Sequence, residues 1–330
     1  MNTQNRLQTL TFIFYSFSSF VAYTTRLPSE GETVFGKSFA KSYGGKGANQ
    51  AVMVARLGGK TNFIGKVGCD SFGSDYISQF VNEGVNAESV SKCEQSTGIA
   101  CISVDDAGKN TIVIIPGANL ELNKEDVLSY SSLFSSRSVL VCQNEIPTIS
   151  TVAALSLARS VGMLSIWNPA PAPTTATMTL DELNCILSLA DLICPNENEL
   201  GTLTNMPTSS LDEVRTAAQS LLERGCQTVV VTLGEKGACL VTPHTFQLFP
   251  AMKVNTIDTV GAGDAFIGKL KMVAFLPLHR FPSLLICDRF SSPSPPRHPP
   301  IRYHGVKLGA RGASTRGHRA GHLLRLALHL

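Results

Sequence analysis

Between about residues 32 and 276, short apolar runs typical of strands alternate with amphipathic stretches typical of helices. The predicted helices cover residues 48–57, 75–83, 149–161, 181–189, 211–224 and 265–275, and the predicted strands 61–67, 98–104, 111–115, 139–142, 164–167, 192–194 and 228–233. Such alternation predicts an α/β fold, a three-layer sandwich with helices on both faces of a mostly parallel central sheet.

Three runs of strand-like residues differ from this regular alternation, namely 98–104, 111–115 and an N-terminal run, 10–23. The runs 98–104 and 111–115 flank a Gly-containing loop, which predicts a β-hairpin that stands apart from the main sheet as part of a small β lid. The N-terminal run 10–23 is rich in aromatic residues, but it is interrupted by Ser and is shorter than the ~20 apolar residues that cross a bilayer. Its composition favours a strand, with a signal peptide as the alternative.

The C-terminal part differs from the rest in composition. Residues 280–330 hold nine Lys or Arg and one acidic residue, so this part has a net charge of +8 and the rest of the chain a net charge of −5. The main part therefore has no basic surplus that would indicate a nucleic-acid partner, and we expect no membrane partner. Residues 281–302 contain six of the 17 prolines. We expect this tail to be disordered or to come from an altered transcript.

Cysteine usage bears on the cellular compartment. The chain has nine cysteines and no CxxC pair, and most of them lie in apolar, strand-like runs. Buried, reduced thiols explain this pattern better than disulfides or a zinc site. We therefore expect a cytoplasmic location, with the nucleus as the alternative.

The first segment that could carry chemistry is Gly44-Gly45-Lys46-Gly47-Ala48-Asn49-Gln50, at the start of a predicted helix. The glycines let the backbone approach a ligand, the helix start offers N–H groups, and Asn49 can bond hydroxyl groups. Lys46 could make the turn an anion site, although the Walker and GxGxxG spacings are absent. A tight strand-to-helix turn without a ligand is the alternative.

The second segment is Asp258-Thr259-Val260-Gly261-Ala262-Gly263-Asp264, before another predicted helix. Small residues at a helix start present N–H groups to an anion, aided by the helix dipole. A carboxylate there would repel an anion unless it takes a proton from a hydroxyl that attacks a phosphate, and this is the role we consider for Asp264. A plain N-cap is the alternative.

A third, polar segment is Asn196-Glu197-Asn198-Glu199, which follows a predicted strand. Carboxylates and an amide at the carboxyl end of a strand suit a hydrated Mg²⁺ with bound phosphates. A short acidic loop is, however, most often only a solvated turn.

Taken together, these segments resemble the ribokinase-like (PfkB) carbohydrate kinase family in order and separation, over about residues 25–276. The other matching pieces are Arg26-Leu27-Pro28 with Gly31-Glu32-Thr33, Pro116-Gly117-Ala118-Asn119, Asn168-Pro169-Ala170-Pro171-Ala172, Pro195-Asn196-Glu197 and Thr232-Leu233-Gly234. The resemblance implies transfer of a phosphoryl group from ATP to D-ribose, giving D-ribose 5-phosphate and ADP. It also implies Mg²⁺ and K⁺ as cofactors and a homodimer formed through the lids.

The resemblance also implies the residue roles. Asp264 is the expected base for the sugar's 5-hydroxyl, and Gly261, Ala262 and Gly263 with the Asp264 N–H are the expected anion hole. The other expected contacts are Gly44, Gly45, Lys46, Gly47, Asn49 and Glu145 for the sugar; Asn196, Thr232, Leu233, Gly234, Glu235, Lys236, Gly237 and Gly263 for ATP; Asp258 and the Val260 carbonyl for K⁺; and Glu199, through water, for Mg²⁺.

The chain departs from the family pattern towards both ends. Counted back from Arg26-Leu27-Pro28, Ser19 stands where the family has an acid that grips the sugar, and Gly268-Lys269-Leu270-Lys271 puts charge where the family has small apolar residues. Open alternatives are therefore a catalytically impaired relative that acts by binding or dimerisation, or a kinase for deoxyribose, fructose or a nucleoside. The expected division is a divergent segment 1–24 in place of the first strand, a kinase domain 25–278 with lid elements near 34–43 and 96–116, and a Pro/Arg/His-rich tail 279–330.

Overall fold

The computed structural model describes residues 9–13, 17–251 and 261–273. Its strands are β1 (Thr9–Ile13), β2 (Phe17–Tyr23), β3 (Ser38–Gly44), β4 (Lys60–Gly68), β5 (Val90–Cys93), β6 (Ile99–Val104), β7 (Asn110–Ile115), β8 (Val139–Cys142), β9 (Leu164–Trp167), β10 (Leu192–Ile193), β11 (Thr228–Thr232), β12 (Ala238–Thr242) and β13 (Thr245–Phe249). Its helices are α1 (Lys46–Arg56), α2 (Ser71–Asn82), α3 (Lys124–Ser129), α4 (Thr148–Ser160), α5 (Leu180–Leu189), α6 (Glu197–Thr204), α7 (Leu211–Glu223) and α8 (Ala262–Val273). The predicted tail 279–330 lies outside the described residues.

Within the part of the chain that the structure describes, the main sheet has nine strands in the order β13-β12-β11-β10-β9-β8-β1-β4-β5. The pairs from β11 to β5 are all parallel, and the antiparallel strands β12 and β13 lie at one edge. The prediction of a mostly parallel sheet is confirmed. Because the strands from β11 to β5 run the same way, their carboxyl ends meet at one edge of the sheet, where open α/β sheets bind ligands.

Neighbouring residues of β1 show that the sheet separates two apolar cores. Ile13 packs in a core with residues of α4, α5, α6 and α7. Phe12 packs in a second core with residues of α1, α2 and α8. Because successive side chains of a strand point to opposite faces, helices cover both faces of the sheet. The predicted three-layer α/β fold is confirmed.

A second, smaller sheet has, among the described residues, four strands in the order β3-β2-β6-β7. The predicted hairpin is present, with β6 and β7 antiparallel and Ile99 opposite Ile115. The stretches near 34–43 and 96–116, expected to form the lid, contain β3, β6 and β7, all of which belong to this sheet.

The N-terminal run 10–23 is divided between the two sheets, whereas its composition suggested one strand. β1 lies in the middle of the main sheet, parallel to both β4 and β8. β2 belongs to the small sheet, where it pairs with β3 and β6. The segment 1–24 therefore contains a central strand of the main sheet. Aromatic and β-branched residues indicate a strand without indicating its sheet. The division into domains stays a prediction.

Two expectations drawn from composition concern membranes and cysteines. Within the described residues, no helix is both long enough and apolar enough to cross a bilayer. Four of the eight described cysteines are buried, while Cys69 and Cys101 are exposed, so burial applies to half of them and not to most. Burial raises the pKa of Cys226 to about 12 and that of Cys239 to about 11, which keeps both as thiols at neutral pH.

Candidate active site

The turn between β3 and α1, residues 44–49, is called the sugar turn below. Gly45 caps α1 with a φ of 105°, a conformation that residues with a Cβ rarely adopt. The hydroxyl of the buried Tyr76 donates a hydrogen bond to the carbonyl oxygen of Gly44. Gly47 is buried in the first turn of α1, and Lys46 and Asn49 are partly exposed. The glycines thus shape the turn, and the two polar side chains remain partly accessible.

Glu145 contacts the sugar turn from the segment that follows β8. Its Oε2 accepts a hydrogen bond from the backbone N–H of Lys46 at 3.0 Å. Burial raises the pKa of Glu145 to about 7; the charge and the N–H of Lys46 oppose this increase, and the Asp264 carboxylate adds to it. Glu145 therefore exists in both protonation states near neutral pH.

The second glycine turn leads directly into α8. Gly261 has a φ of 76°, and its carbonyl oxygen accepts from the N–H of Ala265 at 2.9 Å. α8 begins at Ala262, three residues before the predicted start. Asp264 is therefore inside the first helical turn, and the interpretation of Asp264 as an N-cap before the helix is wrong. The first N–H groups of a helix have no partner within it, so this turn has the polarity of an anion site.

Asp264 is held against the sugar turn by two side chains of α1. Its Oδ2 accepts from Nδ2 of Asn49 at 3.0 Å, and its Oδ1 accepts from Nε2 of Gln50 at 3.1 Å. A Cβ at Gly268 would lie 3.1 Å from the Met53 side chain, which shows that the helices α1 and α8 approach each other closely. Close packing of the two helices therefore joins two glycine turns that are more than 200 residues apart in the sequence.

The segment after β10 is the start of a helix and not the loop that the sequence suggested. Asn196 is the N-cap of α6: its Oδ1 accepts from the N–H of Glu199 at 2.8 Å, and Oε2 of Glu199 accepts from the N–H of Asn196 at 2.9 Å. Burial raises the pKa of Glu199, the Asn196 N–H and Lys46 lower it, and Asp264 raises it. These influences place Glu199 within electrostatic reach of Lys46 and Asp264.

The predicted ATP residues 232–237 form the connection between β11 and β12. The N–H of Thr232 donates to the Pro195 carbonyl oxygen at 3.0 Å, which joins β11 to the start of α6. Gly234–Lys236 is a single exposed 3₁₀ turn, and Lys236 pairs with Glu197 of α6 at 3.5 Å. Gly237 has a φ of 104°, and a Cβ there would lie 2.0 Å from the Phe249 carbonyl oxygen. Only glycine suits this position.

The residues that the resemblance implies for the metal ions lie partly within the described chain. Among the described residues, no group of three or more His, Cys, Asp or Glu side chains is arranged to hold a metal ion. A Mg²⁺ ion that keeps its waters and binds phosphate oxygens needs only one or two carboxylates, so Glu199 fits a water-mediated role. Asp258 and Val260, predicted for K⁺, lie outside the described residues.

A family profile decides the classification of this fold and site. The profile described as pfkB family carbohydrate kinase matches residues 16–271, most of the chain. The chain belongs to this family. Carbohydrate kinases of the pfkB family are phosphotransferases that act on sugar hydroxyls, with ATP as co-substrate. The resemblance and the predicted enzyme class are therefore confirmed.

Relatives of this pfkB family kinase include sugar kinases of several organisms. The ribokinase of Mus musculus is 41% identical over 262 residues, which are 78% of this chain and 79% of the relative. The deoxyribokinase of Salmonella typhi is 39% identical over 250 residues, which are 75% of this chain and 79% of the relative. The solved structure of Arabidopsis thaliana ribokinase complexed with ribose and ATP matches with a TM-score of 0.73 at 26% identity, covering 84% of this chain and 89% of that chain.

Three buried amide side chains of this kinase were not among the predicted site residues. Gln50 contacts Asp264, and Asn168 and Gln143 contact Gln50. Gln50 and Asn168 stand inside two of the motifs that matched the family, Gly44–Gln50 and Asn168–Ala172, and Gln143 lies two residues before Glu145. Their position in these motifs was the only sequence signal for them. Their contacts depend on tertiary packing.

Proposed function

We propose that this protein transfers the γ-phosphoryl group of ATP to the 5-hydroxyl of D-ribose. One observation carries the proposal: Asp264, in the first turn of α8, is held by Asn49 and Gln50 of α1, at the end of the sugar turn. A carboxylate so placed lies between a turn suited to a sugar and a turn suited to a phosphate. Phosphoryl transfer requires mainly this kind of positioning, with stabilisation of oxygen charge.

Each part of the site has a role in this reaction. Asp264 accepts the proton of the attacking hydroxyl, and the turn Gly261–Gly263 with the Asp264 N–H stabilises the charge on the transferring phosphoryl group. Gly44, Gly45, Lys46, Gly47, Asn49 and Glu145 hold the sugar. The similarity to mouse ribokinase and to the Arabidopsis ribokinase complexed with ribose and ATP supports ribose as the substrate.

ATP binds, in this proposal, along the neighbouring part of the same sheet edge. Asn196 and the connection 232–237 line its site, and the bridge between Asn196 and Thr232 keeps these segments together. Glu199 orients the waters of Mg²⁺; when bound, this ion neutralises phosphate charge. We further propose K⁺ as an activator, on the sequence of residues 258–260.

Deoxyribose is the second candidate substrate, on a specific observation. A Cβ at Gly44 would lie 2.7 Å from the Phe17 ring and 3.1 Å from the Ser19 hydroxyl, so these uncharged side chains lie beside the sugar turn. Loss of a hydrogen bond to a charged group costs about 1.5–3 kcal/mol. Deoxyribose has one hydroxyl fewer than ribose, so its binding need not suffer this loss. The similarity to deoxyribokinase agrees with this second candidate.

Sugar-dependent ADP formation by the full chain, with Mg²⁺ and K⁺, tests the proposal. In Asp264→Asn we expect kcat to fall by ~10²–10⁴-fold, the usual range for a general base. The control is Asp181→Asn, because Asp181 also lies in the first turn of a helix, α5. An unchanged kcat in Asp264→Asn would contradict the assigned role. A folded wild-type protein inactive on ribose, deoxyribose, fructose and nucleosides would favour the binding-only alternative.

We also propose a homodimer formed through the small sheets and a cytoplasmic location, with the nucleus as the second compartment. The exposed apolar side chains of β7 support the dimer. Cell fractionation with an antibody to the native protein tests the location.

A further inference from the structure

A row of buried amide side chains leads from two strand ends of the main sheet to Asp264. Gln50 and Gln143 are fully buried, and Asn168 is 6% exposed. Nε2 of Gln50 donates to Oδ1 of Asp264 at 3.1 Å and to Oδ1 of Asn168 at 3.2 Å. Oε1 of Gln50 accepts from Nε2 of Gln143 at 2.5 Å. The Gln50 amide therefore has a partner on both its nitrogen and its oxygen.

The orientation of the Gln50 amide follows from an unambiguous acceptor at one end of the row. Nδ2 of Asn168 donates to the backbone carbonyl oxygen of Cys194 at 2.9 Å. A carbonyl oxygen only accepts, so the Asn168 amide must turn its nitrogen to Cys194 and its own oxygen to Gln50. Gln50 must then direct its nitrogen towards Asn168, and the same nitrogen reaches Asp264. The neighbouring groups thus require Gln50 to donate to Asp264.

Asn49 and Gln50, the two side chains of α1 that donate to Asp264, differ in their surroundings. Asn49 is partly exposed and belongs to the sugar turn, so its side chain is open to exchange partners when a sugar binds. Gln50 is fully buried and faces the sheet, with its other contacts inside the protein. Of the two, Gln50 is the donor that can hold Asp264 unchanged while substrate enters and leaves.

We propose that Gln50 is a positioning residue for the phosphoryl transfer, with Asn168 and Gln143 setting the direction of its amide. This inference rests on the proposed function, in which Asp264 is the base. A base must stand within hydrogen-bond reach of the proton that it accepts, and small displacements of reacting groups reduce rates strongly. Gln50 acts through Asp264 and does not itself touch the sugar.

A double-mutant cycle in the full chain separates this role from a purely structural one. In Gln50→Leu we expect kcat to fall by ~10- to 100-fold, while KM for ATP stays within about twofold. In the Asp264→Asn background the same change should alter kcat by less than about threefold, because there is no longer a carboxylate to position. The control is Gln79→Leu, since the amide of Gln79 on α2 also donates to a carboxylate, that of Glu83.

Equal losses in both backgrounds, or a loss confined to KM, would overturn the proposal. If Gln50→Leu does not fold, Gln143→Leu replaces it. That change removes a buried oxygen that, among the described residues, has no hydrogen-bond partner, and it leaves Gln50 in place. We then expect kcat to fall by about threefold or more, because the Gln50 oxygen loses its donor and Asn168 alone then directs the Gln50 amide. An unchanged kcat would contradict the inference.

A measurement independent of turnover completes the test. The side-chain amide NMR signals of Gln50 should move in Asp264→Asn, because the hydrogen-bond acceptor changes from a carboxylate to an amide. The signals of Gln79 should stay in place. Unmoved Gln50 signals would overturn the inference. Moved signals in a protein that phosphorylates no sugar would support the contact and contradict the proposed function, so the two failures are distinguishable.

Discussion

Glu145 shows how one acid in this site depends on its surroundings. Its pKa of about 7, compared with an ordinary value of 4.5, results mainly from burial, since the neighbouring Lys46 acts in the opposite direction. The nearby Asp264 adds to the increase because like charges disfavour each other. Perturbed acids of this kind are frequent at functional sites. The charge on Glu145, which accepts a hydrogen bond from the Lys46 N–H of the sugar turn, therefore depends on pH near neutrality.

At the residue scale, Glu145 should make stability depend on pH. Because its folded pKa of about 7 lies above 4.5, the folded state binds more protons between these values, and the unfolding free energy falls as pH rises through this window. The pKa difference would correspond to about 3 kcal/mol at full burial, and partial exposure reduces our expectation to about 1–2 kcal/mol. Glu145→Gln removes the titrating carboxyl group, so in this variant we expect no such fall of the unfolding free energy with pH. Urea unfolding of both proteins from pH 4.5 to pH 8 measures the difference.

The control for Glu145→Gln is the same substitution at Glu235, an exposed residue of the 3₁₀ turn. Glu235→Gln should follow the wild-type curve at each pH. Parallel curves for the wild type and Glu145→Gln would show that burial of Glu145 does not affect the stability.

At the scale of elements, helix starts supply both stability and binding groups. α6 and α7 begin with the same reciprocal pair of hydrogen bonds, Asn196 with Glu199 and Ser210 with Glu213. The α6 start follows β10 at the binding edge of the sheet, and its Glu199 lies within electrostatic reach of Asp264. The two helices therefore begin with the same capping hydrogen bonds but in different surroundings.

This duplication allows a matched prediction for ATP binding. Asn196→Ala and Ser210→Ala should each lower the unfolding free energy by about 1 kcal/mol, since each removes a helix cap. Only Asn196→Ala should also raise KM for ATP, because the proposed ATP site includes Asn196. Urea unfolding and initial rates at varied ATP measure both effects. An equal KM for ATP in the two variants would show that Asn196 does not contribute to ATP binding.

At the scale of the whole molecule, the small sheet presents an exposed apolar edge. In β7, Ile112, Val113, Ile114 and Ile115 are between 46% and 62% exposed, and β7 is the last strand of this sheet among the described residues. Unpaired edge strands with apolar side chains favour association with another chain. This surface is the one that the proposed homodimer would cover.

If the homodimer forms through β7, a charged side chain on β7 should weaken it. Val113→Lys should shift the protein from dimer to monomer, because a buried, unpaired ammonium group opposes association. Val81→Lys on α2 is the control, since Val81 is 63% exposed and Val113 62%. Sedimentation at several protein concentrations measures both variants. A wild-type monomer, or a dimer that tolerates Val113→Lys, would rule out this interface.

The sequence by itself determined the fold class and the two turns. Helical and strand periodicities are local properties, so the alternation of segments sufficed to predict three layers around a mostly parallel sheet. Gly45 and Gly261 both have positive φ values in turns that lead into helices, and the choice of glycine records this requirement directly. The family motifs added the identity of the base, Asp264, as a prediction.

The tertiary structure alone decided which distant groups meet. The run 10–23 is divided between two sheets, because its composition favours strands without selecting partners. The row of amides behind Asp264 and the raised pKa of Glu145 depend on packing between segments far apart in the chain. Local residue preferences cannot specify such contacts. Burial and direction of hydrogen bonds are properties of the assembled fold.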